Sequence, residues 1–151
     1  KLDLVLHERM NNIELLSQTP ILRNRNRKEV QALFRALQEV SPEYSWVALT
    51  DEEGRVIVST EESLLGEDVS RDPGFLTLRA GARTAIDDAA MSAKDDGVFV
   101  VTFLARVQSL SGEWRGGLIA RIGMPAFEDV FAQTMTTWLL AEKDMRNLGN
   151  A

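Results

Sequence analysis

Between Tyr44 and Phe75 two β-rich runs alternate with punctuation that leaves the chain few choices. Tyr44-Ser45-Trp46-Val47-Ala48-Leu49-Thr50 is followed by Asp51-Glu52-Glu53-Gly54 and then by Arg55-Val56-Ile57-Val58-Ser59-Thr60. Aromatic and β-branched residues on both sides of an acidic turn that closes on glycine predict a β-hairpin with a four-residue loop. A loop through Gly66 follows. Asp72-Pro73 then opens a short helix, with an acidic N-cap and proline at the first helical position, ending at Gly81.

Further on, Val98 to Val107 is a continuous β-branched and aromatic run, too apolar for a strand with one wet face. A turn at Ser109 to Glu113 leads into a partner strand from Trp114 to Gly123. Both strands are expected mid-sheet, with helices on one face and a loop-covered cavity on the other. Gly116-Gly117 falls inside the second strand, where glycine marks a bulge or a close approach.

The sheet-forming centre is framed by helices. Leu2, Leu6, Met10, Ile13 and Leu16 recur at helical spacing and predict a front helix ending before Pro20. Asn24 to Lys28 is polar and basic and reads as a loop. Val30, Leu33, Phe34, Leu37 and Val40 mark a second amphipathic helix, stopped at Ser41-Pro42. From Pro125 the stripe Phe127, Val130, Phe131, Thr134, Met135, Trp138 and Leu139 predicts a tail helix.

Composition narrows the function classes. With 151 residues and 44% hydrophobic content the chain fits one soluble globular domain rather than a disordered segment. No apolar run reaches the ~18–20 residues that span a bilayer, and no signal peptide opens the chain. It begins at Lys1, as a piece of a longer protein would. The absence of cysteine removes disulfides, thiolate nucleophiles and cysteine metal sites, and suits an oxidising compartment. A net charge of −6, from 17 basic and 23 acidic residues, argues against nucleic acid and against an anionic membrane surface.

Catalytic chemistry finds no constellation. His7, the only histidine, lies among solvated charges of the front helix with no nucleophile near it in sequence. The acidic pairs Asp87-Asp88 and Asp95-Asp96 offer metal ligands on paper, but both read as turns, the second running into Gly97. Asp51 to Glu62 has the ends of a calcium loop. Its sixth position is Val56 where glycine is needed, and its fifth is the cation Arg55, so that reading fails. No metal or cofactor is expected.

The ordered set of aromatic-rich strand, D-x-x-G turn, strand ending in Ser59-Thr60, Gly66-Glu67-Asp68-Val69-Ser70 loop and Asp72-Pro73 helix resembles the Cache (PAS-like) sensor domains of bacterial membrane receptors. The resemblance covers roughly residues 28–131. It implies an α+β fold: a central antiparallel sheet of about five strands, N-terminal helices on one face and a C-terminal helix. It implies one module over residues 1–151, with a helical front at 1–41, a sheet core at 44–123 holding a pocket loop at 60–91, and a tail helix at 124–151. A distal module cut from a tandem pair is the alternative.

In such domains the ligand lies on the concave side of the sheet under the long loop. The loop here carries Arg71, Arg79 and Arg83, whose guanidinium groups could hold a carboxylate, though any one of them taken singly reads first as a solvated charge. Arg106 ends a largely apolar strand and either enters the pocket or snorkels. The expected pocket is lined by Trp46, Ala48, Phe75, Val101, Phe103 and Ile119, with Arg71, Arg83 or Arg106 as polar groups. Where family members carry R-x-Y-F or R-P-Y-F, this chain, aligned on Pro73 and Phe75, has Asp72 at the arginine position and Gly74 at the tyrosine position, with Arg71 one residue off register, so of the ligand-facing residues only Phe75 matches.

The resemblance therefore implies an extracytoplasmic sensing domain of a membrane-anchored receptor, binding an amino acid or small carboxylate, not an enzyme. A homodimer through the stripe of the front helix is also expected. A ligand-free interaction domain of Roadblock or longin type shares the hairpin and is the competing reading. It lacks the two front helices and the long covering segment.

Overall fold

The period-2 runs form strands and the period-3.6 runs form helices, in an order that lays all the early helices on one side of a single sheet. The computed structural model describes residues 2–92, 98–125 and 138–144. Helices α1 (Leu2–Ser17), α2 (Pro20–Asn24) and α3 (Arg27–Val40) precede strands β1 (Tyr44–Thr50) and β2 (Val56–Ser59). Helix α4 (Pro73–Arg79) and strands β3 (Thr84–Ser92), β4 (Val98–Gln108) and β5 (Trp114–Pro125) follow. Residues 138–144 are helical. Among the described residues the strands form one antiparallel sheet in the order β2-β1-β5-β4-β3.

Register decides which side chain serves which face. Val47 pairs with Ala120 and Leu49 with Leu118. Ala120 pairs in turn with Phe103, and Ile122 with Val101. Because directly opposed residues project to the same side, these residues form one apolar face. It is buried against Ile13, Leu22, Val30 and Phe34 of the front helices, with Trp138 and Leu139 packed on the same core. Asn26 caps α3, its side chain accepting the Glu29 N–H at 3.2 Å. The rings of His7 and Trp138 meet edge to face with centroids 5.6 Å apart, so the tail packs beside exposed His7 on α1.

Each interior departure from regular pairing is a bulge. Tyr44 opposes Ile122 while Trp46 opposes Arg121, one residue on. The extra residue, Ser45, sends Tyr44 to the helix face and Trp46 to the other, although i and i+2 normally share a side. In β5, Val107 pairs with Gly116 and Gln108 with Trp114. Gly116 has φ +119, and a Cβ there would lie 2.5 Å from the Thr50 carbonyl oxygen, so both the conformation and the space demand glycine.

Four expectations are corrected. Thr84–Ser92 is a strand, so Asp87-Asp88 is not a turn; the pair lies where Asp87 opposes Thr102 and Ala90 opposes Val100, leaving one residue of β3 bulged out. The segment covering the second face consequently ends near Arg83 rather than Met91. Residues 24–28, read as a loop, hold the end of α2 and the start of α3. Pro125 ends β5 opposite Val98 instead of starting a helix. Asp95-Asp96 and most of the expected tail stripe lie outside the described residues.

Beneath the sheet end, Arg9 forms an ion pair with Glu43 at 2.7 Å and donates to the buried Tyr44 phenol. Burial is the main cause that raises the Tyr44 pKa. The unfolded chain, with its phenol near the ordinary value of about 10, therefore loses the proton first. Stability is full below that pH and declines as alkali takes the protein through the folded-state value. Urea unfolding followed across pH 9 to 11.5 is expected to show this decline, and Tyr44→Phe to flatten it.

Candidate functional site: the α4-covered face of the sheet

The face opposite the front helices carries a different set of side chains. Ala48 pairs with Ile119 and Trp46 with Arg121. Leu104 pairs with Ile119, Thr102 with Arg121 and Arg106 with Gly117; Ala85 pairs with Leu104 and Asp87 with Thr102. Leu78, Ala85, Leu104 and Ile119 form the apolar centre, with Trp46, Val69 and Trp114 packed around it. One cross-strand row thus reads Asp87, Thr102, Arg121, Trp46: a carboxylate, a hydroxyl, a guanidinium and an indole on one surface.

The cover is pinned at both ends of α4. At its start the Gly74 N–H donates to Asp87 Oδ2 at 2.9 Å. At its end the Arg106 guanidinium donates to the Leu78 carbonyl at 2.8 Å, one of the carbonyls that a helix terminus leaves without an intrahelical partner. Arg106 Nε also donates to Gln108 Oε1 at 3.0 Å, and the cation lies 5.0 Å from the Trp114 ring centre. Phe75 packs edge to face on the same indole at 5.3 Å, and Trp114 Nε1 donates to the Glu52 carbonyl at 2.8 Å. Glu52 is ion-paired with Arg25, at the junction of α2 and α3.

The segment leading to α4 runs back along the hairpin. Val56 N–H donates to Glu67 O and Val69 N–H to Gly54 O, at 2.9 and 2.8 Å. Hydrogen bonds from Ser70, helped by Arg55 and Arg71, hold the exposed Asp68 carboxyl below the usual carboxylate range. On the far side, Asp51 Oδ1 accepts the N–H groups of Glu53 and Arg55, at 3.0 and 2.9 Å. The loop that failed as a calcium site is a side-chain-stabilised turn.

The expected pocket residues divide. Trp46, Ala48 and Ile119 are on this face, and Phe75 is fully buried beneath α4. Val101 and Phe103 are on the other face, in the core against the front helices. Their strand is apolar on both sides, so its parity could not be read, and Thr102, Leu104 and Arg106 face the cover in their place. Arg71, Arg79 and Arg83 are exposed. Arg106 points to the covered face, with its donors engaged by α4 and Gln108.

Arg121 was not anticipated. It is partly buried, and no described residue forms a hydrogen bond or ion pair with its side chain. The signal lay in β5 itself, where Leu118, Ala120 and Ile122 point one way and Ile119 and Arg121 the other, putting a cation into a covered face. Among the described residues no group of three acidic or histidine side chains could hold a metal ion.

No protein-family model matches the sequence, and no curated protein matches it. Solved structures do. The E. coli DcuS sensor domain superposes with a TM-score of 0.61 at 12% identity, covering 89% of this chain and 97% of that one. The fold is that of a PAS-like sensor domain. A Pseudomonas aeruginosa amino-acid chemoreceptor ligand-binding domain, PctC, solved with GABA, gives 0.60 at 16% identity, over 78% of this chain and 52% of that one. An extracellular ligand-binding receptor from Desulfohalobium retbaense gives 0.58 at 15%, over 83% of this chain. This chain spans about half of the chemoreceptor domain and a quarter of the Desulfohalobium receptor.

The α4 tether leads to a direct expectation. Arg106→Met keeps the length and apolar stem of the side chain but removes the charged donor to the Leu78 carbonyl, leaving it only backbone N–H partners such as that of Gly81, and takes the cation from Trp114. A hydrogen bond to a charged group is worth about 1.5–3 kcal/mol, and urea unfolding is expected to show a loss of that order. Indole emission should shift to the red as Trp114 becomes wetter.

Proposed function

We propose that this chain is the extracytoplasmic sensing domain of a membrane-bound signal-transduction receptor, binding a small molecule on the α4-covered face of its sheet. The observation that carries the reading is Arg121: a partly buried guanidinium with no partner among the described residues, between the Trp46 indole and the Thr102 hydroxyl. Small-molecule sites combine apolar walls with a few convergent polar groups, and an unpaired cation withdrawn from water has its electrostatic need met by a ligand anion. Ala48, Ile119 and Leu104 supply walls; Phe75 seats the cover; exposed Arg71 and Arg83 steer an incoming anion. PctC, crystallised with GABA, has the same fold, which supports a ligand of amino-acid or carboxylate type. The two features that separate a sensor from a Roadblock- or longin-like module, front helices and a covering segment, are both present.

No described helix is long and apolar enough to cross a membrane. In this reading anchoring and output lie in the parent protein. Signal would leave through α1 and the tail, which meet at His7 and Trp138, as a small shift between two packings biased by ligand. Helix α1 also supports a parallel homodimer: Leu15 is 65% exposed and borders a groove of about 270 Å³ with Leu16, Leu37 and Tyr44. The contact is weak in isolation, since membrane anchoring supplies the local concentration.

Thermal shift against amino acids, carboxylates and amines tests the site. A true ligand at a hundred times its Kd adds about 2.7 kcal/mol of stability, and Arg121→Ala is expected to abolish that shift while Arg71→Ala and Arg83→Ala weaken it. A ligand shift untouched by Arg121→Ala would disprove the assignment. Sedimentation equilibrium checks the dimer: self-association at high concentration is expected for the native chain and its loss for Leu15→Glu.

A further inference from the structure

The Trp114 indole joins two sets of contacts. Its ring serves α4: Phe75 meets it edge to face at 5.3 Å, and the Arg106 cation that binds the Leu78 carbonyl lies 5.0 Å from its centre. Its N–H donates instead to the Glu52 carbonyl at 2.8 Å. The Glu52 carboxylate in turn holds Arg25, whose guanidinium also reaches the Arg115 carbonyl at 3.4 Å. An unbroken run of contacts therefore leads from the α4 cover, round the end of the sheet, to the junction of α2 and α3.

Arg25 is where the chain at that junction has two choices. It ends α2 at φ 53 and ψ 36, and among the described residues no other residue besides glycine has a positive φ. A side chain with a Cβ disfavours this left-handed region and prefers the right-handed one, which would carry α2 on toward α3. Arg23, Arg27 and Lys28 crowd the same junction with like charge. The Glu52 carboxylate opposes both costs, fixing the Arg25 side chain and supplying the opposite sign. Helix α2 is joined to α1 through Thr19, whose N–H and hydroxyl donate to the Leu16 carbonyl at 3.2 and 2.9 Å and whose carbonyl accepts the Arg23 N–H at 3.1 Å. We propose that Trp114, Glu52 and Arg25 form a coupling that ties the seating of α4 to the left-handed hinge at Arg25, and through α2 to the end of α1. Unseating α4 moves the indole, loosens Glu52 and frees Arg25 to leave its strained conformation. The covered face thereby acts on α1 around the sheet's end, apart from the apolar core between them. The coupling belongs to the fold and holds without ligand; its use as a signal route rests on the sensing reading above.

Amide hydrogen exchange on the whole unliganded chain, followed residue by residue, tests the coupling. Trp114→Phe keeps a ring for Phe75 and Arg106 and removes the donor to Glu52. Exchange of the Arg23 and Arg25 amides, which bond the Thr19 and Ile21 carbonyls, is expected to rise about three- to tenfold, the change that matches loss of one ordinary hydrogen bond. The Phe34 and Ala120 amides, in the core, should not follow. Glu52→Gln keeps the carbonyl for the indole and weakens the hold on Arg25. It should loosen the same α2 amides and, because coupling is reciprocal, those of Leu76 and Ala80 in α4. Arg106→Met should also raise exchange in α2, and lose that effect when Trp114→Phe is already present. An Arg106→Met change confined to α4 and its strands overturns the coupling, and so does a rise shared equally by Phe34 and Ala120, which marks general loss of stability. Either result leaves an Arg121-dependent thermal shift, and with it the sensing reading, untouched.

Discussion

The separation of the sheet into a core face and a covered face depends on how α4 is held. A seven-residue helix has little stability of its own, so its position comes from contacts at its two ends and from the Phe75 and Leu78 side chains beneath it. One end rests on the Asp87 carboxylate, the other on the Arg106 guanidinium, and the two anchors belong to neighbouring strands. Charge of suitable sign stands at each end, negative by the N-terminal amides and positive by the C-terminal carbonyl, as the helix dipole favours. Apolar residues alone would let this helix slide across Leu104 and Gly117; the polar end contacts fix its register.

The opposite face is built on bulk rather than on polar contacts. Phe34, Phe103, Ile13, Leu22 and Leu118 are fully buried there, and their packing gives the rigid surface on which the covered face can be arranged. The polar groups of the covered face, Thr102, Arg121 and Asp87, fall on the parity that faces away from this core. Sites assembled on central strands hold their geometry better than sites assembled on loops.

Most of the framework was legible in the sequence because long periodic runs announce themselves. The hairpin at Tyr44 to Ser59, the pair Val98–Gln108 and Trp114–Pro125, and the helices α1 and α3 all followed from spacing and from Gly54, Pro20 and Pro42. Strand β3 was not legible: Thr84-Ala-Ile-Asp-Asp-Ala-Ala-Met-Ser is poor in β-formers, and its edge position asks for pairing on one side only. Helix α2 is too short to show a period. For the site, parity was the missing quantity. Val101 and Phe103 were as plausible as Thr102 and Leu104 until the pairing with β5 was known, because a one-residue slip exchanges the faces.

Four of the sheet's strands carry a single additional residue: Ser45 in β1, Ile57 in β2, Arg115 in β5 and one of Asp88 and Ala89 in β3. Such insertions bend a strand and increase its twist locally. They also uncouple neighbouring stretches of one strand, so that Tyr44 belongs to the interior and Trp46 to the α4-covered side without either being compromised. Gaining or losing one residue at a bulge would reverse the few side chains beyond it, so a single insertion or deletion alters the covered face and the helix-packed face of that stretch together. Length variation at these four points, more than exchange of one side chain for another, is where the division of labour between the two faces of such a sheet can be redrawn.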